Sequence, residues 1–354
     1  VLVSASKHAT TTIPQQRGGG CPFSSSSKRQ QQQQPDPNTE LYKKLKERVK
    51  LHLGKNDIPW RHQPTYTVFF VRAICLGLCI LGRQFDFDRT FCISAAISYG
   101  FLTGRMVWTH IHNGVHNPSS MPRFLRHMLE FDAVAVISLW MHEHLTHHAE
   151  TNTPEDPDMF YFSPLFDYRG IAKKGGSLRD LGLAIFAYPL LVPFMLFKSI
   201  VHAKRKDPTA YASMWFALFA GPIRFGLDIL AMQTDFAFAL TTATAYIVLT
   251  FVATHQVSEN HNPSSGDWMI DQMKNTNNVW SESRVYSTFT GGISNHIEHH
   301  LFPHVSNDVL VEIAPIVREF AKEHDLEYHS FSPWELMSRH FAFVRGNWDS
   351  SSGR

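Results

Sequence analysis

Gly291-Gly-Ile-Ser-Asn-His296-Ile-Glu-His299-His300-Leu-Phe-Pro-His304 places three imidazoles, those of His296, His299 and His300, within five residues. On a helix, offsets of three and four return to one face, so at least two of these rings can point at a common centre. Imidazole is the commonest neutral nitrogen ligand of transition metals. A lone cluster of this kind fits a solvated, His-rich helix end equally well. Its meaning therefore depends on partners elsewhere in the chain.

Two partner clusters exist. His112-Asn-Gly-Val-His116 follows an apolar run, with His110 two residues earlier, and His144-Leu-Thr-His147-His148 follows His142-Glu143. His255 stands at the end of a further apolar run. His112, His116, His144, His147, His148, His255, His296, His299 and His300 are too many for one tetrahedral zinc, which takes four ligands. Two metal ions are the economical inference. An all-nitrogen set with open positions suits iron in oxygen chemistry better than calcium or magnesium, which prefer oxygen ligands. Glu143, Asn152, Asp156, Asp158, Asn295 and Glu298 are interleaved with the clusters. They suit acceptance of the outer ring N–H of ligating imidazoles, although each also reads as a solvated loop residue.

The organisation of the chain says where such a site lies. The 354 residues suffice for one large domain or two ordinary ones, and the formal net charge of +2 gives no reason to expect a nucleic-acid partner. The 4 Cys lack zinc-type pairing, so buried or lipid-facing thiols are expected rather than disulfides. The mean hydropathy of −0.18 averages a very polar tail with long apolar runs and does not decide the class. Residues 1–38 are low-complexity, Ser- and Gln-rich, and expected to be disordered or a transit-peptide remnant. A second short disordered tail is expected at 346–354, leaving 39–345 as the functional domain.

Asn38–Leu53 reads as a helix capped by Asn38 or Thr39, with Leu41, Leu45, Val49 and Leu53 in one stripe among Lys and Arg. It fits a membrane-surface segment or an ordinary docking helix. Tyr66–Gly82 and Phe91–Trp108 approach the roughly 20 residues of a membrane helix, and the short polar link between them suggests a hairpin. Leu181–Phe197, Ala212–Leu230 and Phe236–Thr254 are three further apolar candidates. If the His clusters build one site, they share one membrane face, so an even number of spans separates them. The Lys204-Arg205-Lys206 cluster then belongs to the cytosolic side. That places the proline-broken Leu181–Phe197 at the interface and pairs the last two segments as a second hairpin. The expected fold is an all-α integral membrane protein with two transmembrane helical hairpins and a cytosol-side, His-rich helical cap domain. In the cap, Val309, Ile313, Val317 and Phe320 form a helical stripe, and Ser332-Pro333-Trp334-Glu335 starts another helix.

The order His112-xxx-His116, His144-xx-His147-His148 and His296-xx-His299-His300 resembles the membrane fatty acid desaturases. Asp156-Pro157-Asp158, Asp267-Trp268…Gln272…Thr276 and Glu298-His299-His300-Leu301-Phe302-Pro303 look like the front-end branch of that family. The likeness extends over about residues 40–345. His296 stands where front-end members often carry Gln, and Asn113 where Asp is more usual in the first box. The resemblance implies a di-iron site that uses dioxygen to remove two hydrogens from an acyl-lipid or acyl-CoA. The chain has no His-Pro-Gly-Gly haem motif, so an external electron donor, of cytochrome b type or a ferredoxin, is implied. A multi-pass location in a plastid or endoplasmic reticulum membrane follows, with a slight lean to the plastid. Trp108, Trp140, Trp215, Trp268 and Trp280 are available to line an acyl tunnel or simply to pack.

A lipid hydroxylase or sphingoid-base desaturase of the same superfamily would carry the same boxes. A His-rich membrane metal transporter would need polar groups along its spans, whereas these His lie at span ends. A haem-binding membrane protein would need paired His within facing spans, and none is found.

Overall fold

The computed structural model describes residues 39–60, 67–116, 122–133, 137–190, 211–261 and 264–346. The predicted tail 1–38, the Lys204–Lys206 cluster and residues 347–354 lie outside them. Helix α1 (Glu40–Lys55) starts at Thr39, whose hydroxyl accepts from Tyr42 N–H. Its stripe Leu45, Val49 and Leu53 is fully buried against the C-terminal half of the chain, among Val309, Ile313, Val317 and Phe320. The stripe therefore docks α1 onto protein, and the membrane-surface reading of this face does not hold.

Helix α2 (Thr67–Gln84) turns through Phe85–Asp88 into α3 (Arg89–Met106), which continues through a wide turn, Val107–His112, to His116. Asp88 starts α3 by accepting from the backbone of Thr90. After α4 (Arg123–Ala133), helix α5 (Ile137–Glu150) carries the second box. Helices α6 (Tyr168–Lys174) and α7 (Leu178–Ala187) follow, and a short turn Tyr188–Leu190 ends the described part of the segment predicted over Leu181–Phe197. Helix α8 (Tyr211–Met232) leads through Gln233–Asp235 into α9 (Phe236–Ile247), which continues to His255. The site side is completed by α10 (Trp268–Lys274), α11 (Arg284–Thr290), α12 (His296–Leu301), α13 (Asn307–Glu323) and α14 (Pro333–Arg345). Ser332 caps α14 by accepting from Glu335 N–H, as its sequence predicts. Strands β1 (Asn278–Val279) and β2 (Ser330–Phe331) form one short parallel pair beside α12, and the other regular elements among the described residues are helical.

Among the described residues, two stretches are long and apolar enough to cross a membrane, Thr67–Gln84 and Pro222–His255. The second includes the turn at Gln233, where φ is +48°, and so joins parts of two predicted segments. Helix α3 is not among them: Arg89 and Arg105 stand at its two ends, and Ser94, Ser98 and Thr103 add polar groups, each donating its hydroxyl to a carbonyl four residues back.

The apolar helices are tied at their turns. Arg83 donates to Met232 O at 2.9 Å, and Arg89 pairs with Asp235. Midway along, Arg224 and Asp228, four residues apart on α8, form an ion pair, and Tyr99 joins it by donating to Asp228 at 2.9 Å and accepting from Arg72 at 2.8 Å. These ion-paired and hydrogen-bonded groups are buried, which is how such polar side chains are tolerated in an apolar bundle.

Helices α3 and α9 run in the same direction at close range, so their C-terminal ends deliver His112, His116 and His255 to one place. Glycine makes the approach possible. A Cβ on Gly100 would lie 2.0 Å from Ala239 O, and one on Gly104 would lie 2.8 Å from the Tyr246 ring. Gly100→Val must therefore force the two helices apart, at a cost of about 1–3 kcal/mol or more. We expect a lower melting temperature and reduced metal content in detergent. Gly77→Val on α2, where a Cβ meets nothing within 4 Å, should change neither.

Candidate metal centre

The adjacent pairs His147-His148 and His299-His300 decide the geometry. Consecutive residues on a helix point about 100° apart, so neither pair can serve a single point. The ring nitrogens of His112, His116, His144, His148 and His299 gather with all five within 4.8 Å of one another. Those of His147, His255 and His300 form a second group on the same criterion. Each adjacent pair thus gives one ring to each group. His296 lies beside the second group, its Nε2 2.9 Å from His255 Nε2.

Hydrogen bonds orient the second group. His147 Nδ1 lies 3.1 Å from both oxygens of Asp156 and 3.3 Å from Asp158 Oδ2. His255 Nδ1 is 2.9 Å from Asn275 O, and His300 Nδ1 is 2.8 Å from Gln272 Oε1. Carboxylates and carbonyls only accept, so the proton of each ring sits on Nδ1 and the Nε2 lone pair turns inward. Nε2 of His147 and His300 are buried with no hydrogen-bond partner among the described residues. Buried lone pairs left in this way are costly without a cation, so the residues fit a metal.

The first group is held mainly by packing. Its Nε2 atoms face one another, His116 to His144 at 2.9 Å, His144 to His148 at 3.1 Å and His148 to His299 at 3.0 Å. Nδ1 of His144, His148 and His299 has no hydrogen-bond partner among the described residues, and Trp140 packs against His112 and His144. A cation at the shared point would satisfy the facing lone pairs together.

Burial keeps most of these rings neutral, the form that binds metal. It pushes His116 and His296 down to about 3, and His144, His148, His299 and His300 well below the ordinary value. His147 differs. Burial opposes its charge, but Asp158 and Asp156 outweigh that and carry it up to about 9, so a cation at Nε2 would take the place of a proton there, while Nδ1–H stays on the carboxylates.

The interleaved polar residues divide. Asp156 and Asp158, which follow the second box, meet His147. Asn152, at φ +58°, holds the backbone of the site: its amide donates to His255 O at 2.9 Å and to Asn260 O at 3.0 Å. Glu143 is buried near Asp158 and Tyr161, and Asn113 sits half-buried between the two histidines of the first box. Two expectations are corrected by these contacts. Glu298 binds Asn278 and Tyr328, both at 2.9 Å, and burial pushes its carboxyl up to about 7. Asn295 begins α12 and donates to Ser287 Oγ at 3.4 Å. Among the described residues, neither makes a hydrogen bond to a ring. On a helix that sends His299 and His300 towards the metal groups, Glu298 points away, and it ties α12 to the β1 strand.

Gln272, Asn275 and Thr151 are the supports that spacing alone missed. Thr151 donates to Gln272 Oε1 at 3.0 Å, and Asn275 Nδ2 donates back to Thr151 O at 3.2 Å. Gln272 belongs to a motif that carried the family resemblance, which was the only signal for it. Of the tryptophans, Trp140 lies against the rings and Trp268 packs on Tyr42, while Trp280 is largely exposed. The side chains of Trp108 and Trp215 lie outside the described set.

Residues 90–332 match the family model described as fatty acid desaturase. The chain is 26% identical to an acyl-lipid (8-3)-desaturase of Mortierella alpina, over 88% of this chain and 78% of that protein. It is 24% identical to Delta(5) fatty acid desaturase A of Dictyostelium discoideum, over 82% of this chain and 71% of the relative. It is also 24% identical to an sn-1 linoleoyl-lipid 6-desaturase of Arthrospira platensis, over 81% and 86% respectively. No solved structure matches.

Gln272→Leu removes the acceptor for His300 Nδ1–H while keeping a side chain of similar size. Metal retention after dialysis should fall about 10–100-fold, with the helical circular dichroism signal unchanged. Full metal retention would show that His300 needs no such partner.

Proposed function

The chain belongs to the fatty acid desaturase family and is an oxidoreductase; from that premise we propose that its nine imidazoles hold two iron ions for dioxygen-dependent desaturation. Bound iron would supply the oxidising power towards dioxygen that an unactivated C–H bond demands. The protein's own work is positional. Asp156, Asn275 O and Gln272 keep the rings of one group in a single tautomer, and Trp140 wedges the rings of the other. Burial of the rings, His116 alone being partly exposed among the nine, excludes bulk water from the oxidising centre. The observation that carries this reading is the division of the adjacent histidine pairs between two nitrogen groups.

We place α2, α3, α8 and α9 across the membrane as two hairpins, with the site at their common end and the remaining helices capping it from the cytosolic side. The shared direction of α3 and α9 supports this, since an even number of crossings then separates the first box from His255. The membrane is that of a plastid or of the endoplasmic reticulum. The substrate class we favour is an acyl chain esterified in a lipid, because two of the relatives above are named for lipid-bound acyl groups. Conversion of dioxygen to two waters with loss of two substrate hydrogens also takes up two electrons and two protons. We assign the electrons to a separate one-electron carrier, of cytochrome b type or a ferredoxin.

Expression in a desaturase-deficient host with fatty-acid profiling is the test. We expect a new double bond in membrane lipids, two irons per purified chain, and neither in His148→Ala. Iron-loaded protein that makes no new double bond overturns the assignment, and an added oxygen in the product would point to a hydroxylase.

His296→Gln should keep part of the activity, because this ring sits at the margin of its group and a carboxamide can still offer a ligand atom. Complete loss with intact folding would make His296 an obligatory ligand.

A further inference from the structure

The buried rings pose a problem of access, because a carrier protein cannot touch them and electrons must arrive through a short stretch of polypeptide. Helix α1 provides one. Its Tyr42 hydroxyl donates to Leu301 O at 2.6 Å, and Leu301 is bonded to His300 of the second nitrogen group. Tyr42 also packs edge-on against Trp268, with ring centroids 5.2 Å apart.

The opposite face of α1 is basic and exposed. The helix carries six Lys and Arg against two Glu. Lys44, Lys46 and Lys55 have no ion pair among the described residues, while Lys50 approaches Glu47 only at 4.0 Å, both side chains being exposed. Leu51 stands 70% exposed between two surface concavities. One, of about 760 Å³, includes Lys50 and Lys55, and the other, of about 680 Å³, includes Lys44 and His324. Asp57 lines the first and Glu47 and Glu323 the second, against the cations Lys50 and Lys55 and Lys43, Lys44 and Arg48 respectively. An apolar centre in a net basic rim is the form of a small, charge-steered, short-lived interface.

We propose that the outer face of α1 is the docking surface for an acidic one-electron carrier protein, delivering electrons through Tyr42 and Leu301 to the His300 side of the metal centre. The proposal rests on the external-carrier reading above. In each encounter the reduced carrier loses one electron and the metal centre gains one, and two encounters supply one turnover. A second exposed basic pair, Lys173 and Lys174 on α6, has a longer route. It passes through Tyr168, Tyr188, His340 and Gln256 O, across gaps of 3.2, 2.5 and 2.7 Å, before reaching His255. From Tyr42 inward, the α1 route crosses a single hydrogen bond.

The test uses the iron-loaded full chain in detergent with two probes, the soluble haem domain of a cytochrome b5 and a plant-type ferredoxin. Binding is read by interferometry at low and high salt, and reduction of the metal by stopped flow. Lys44→Glu/Lys50→Glu/Lys55→Glu should weaken binding of the productive carrier at least about tenfold at low salt, with a smaller difference at high salt. Its second-order reduction rate should fall in step, while reduction by dithionite and the melting temperature stay as in the parent. Unchanged binding and reduction overturn the proposal. So does a loss that appears instead in Lys173→Glu/Lys174→Glu, or a triple variant whose only defect is weaker binding to phosphatidylserine vesicles. If neither carrier reduces the parent protein while dithionite does, the external-carrier reading itself fails, and this surface with it.

Discussion

Two histidines side by side on a helix cannot point the same way, and that constraint organises the molecule. Because His147-His148 and His299-His300 each diverge by about 100°, α5 and α12 must lie between two nitrogen groups and contribute to both. The remaining rings come from helix ends on either side, His112 and His116 from the extension of α3 and His255 from the end of α9. A centre built this way needs several rigid elements converging on one place. A departure of one turn in any of them would remove a ligand.

The supporting fold follows from that demand. Gly100 and Gly104 let α3 and α9 approach closely in the same direction, so two widely separated parts of the chain end together. At the other end of the helices, Arg83 and Arg89 tie the two turns. On the site side, Gly292 has φ +89° and a Cβ there would lie 1.9 Å from Asn307 O. The Gly-Gly pair before the third box therefore allows the chain to turn tightly under α13 and enter α12 at the required angle. Glu298 then fastens α12 through Asn278 and Tyr328. The same α12 ends where Tyr42 reaches it, so the helix that carries His299 and His300 also adjoins the basic helix α1.

Much of this was legible in the residues. The three boxes, the presence of His255 at a helix end, the Arg224–Asp228 pair, the Thr39 and Ser332 caps and the two amphipathic stripes all follow from local spacing. Local rules failed where the answer depended on which face of an element meets another. The stripe of α1 fits a lipid surface as well as a protein groove, because burial of leucine and valine is non-directional. Glu298 and Asn295 sit beside the ligands in sequence, yet Glu298 points away from the rings and Asn295 starts the helix. Gln272 and Asn275 support His300 and His255 from a distance along the chain that spacing cannot register.

The sequence by itself determined the chemistry, because ligand type, box spacing and apolar run length are local properties that hold in any compact arrangement of these helices. It also sufficed to place the chain among the fatty acid desaturases and to argue for two metals from the number of rings. Tertiary structure alone decided which ring belongs to which group, and, for His147, His255 and His300, which carbonyl or carboxylate holds Nδ1–H. Those are matters of distance and direction between segments remote in the chain, and they are set only when α3, α5, α9 and α12 have packed.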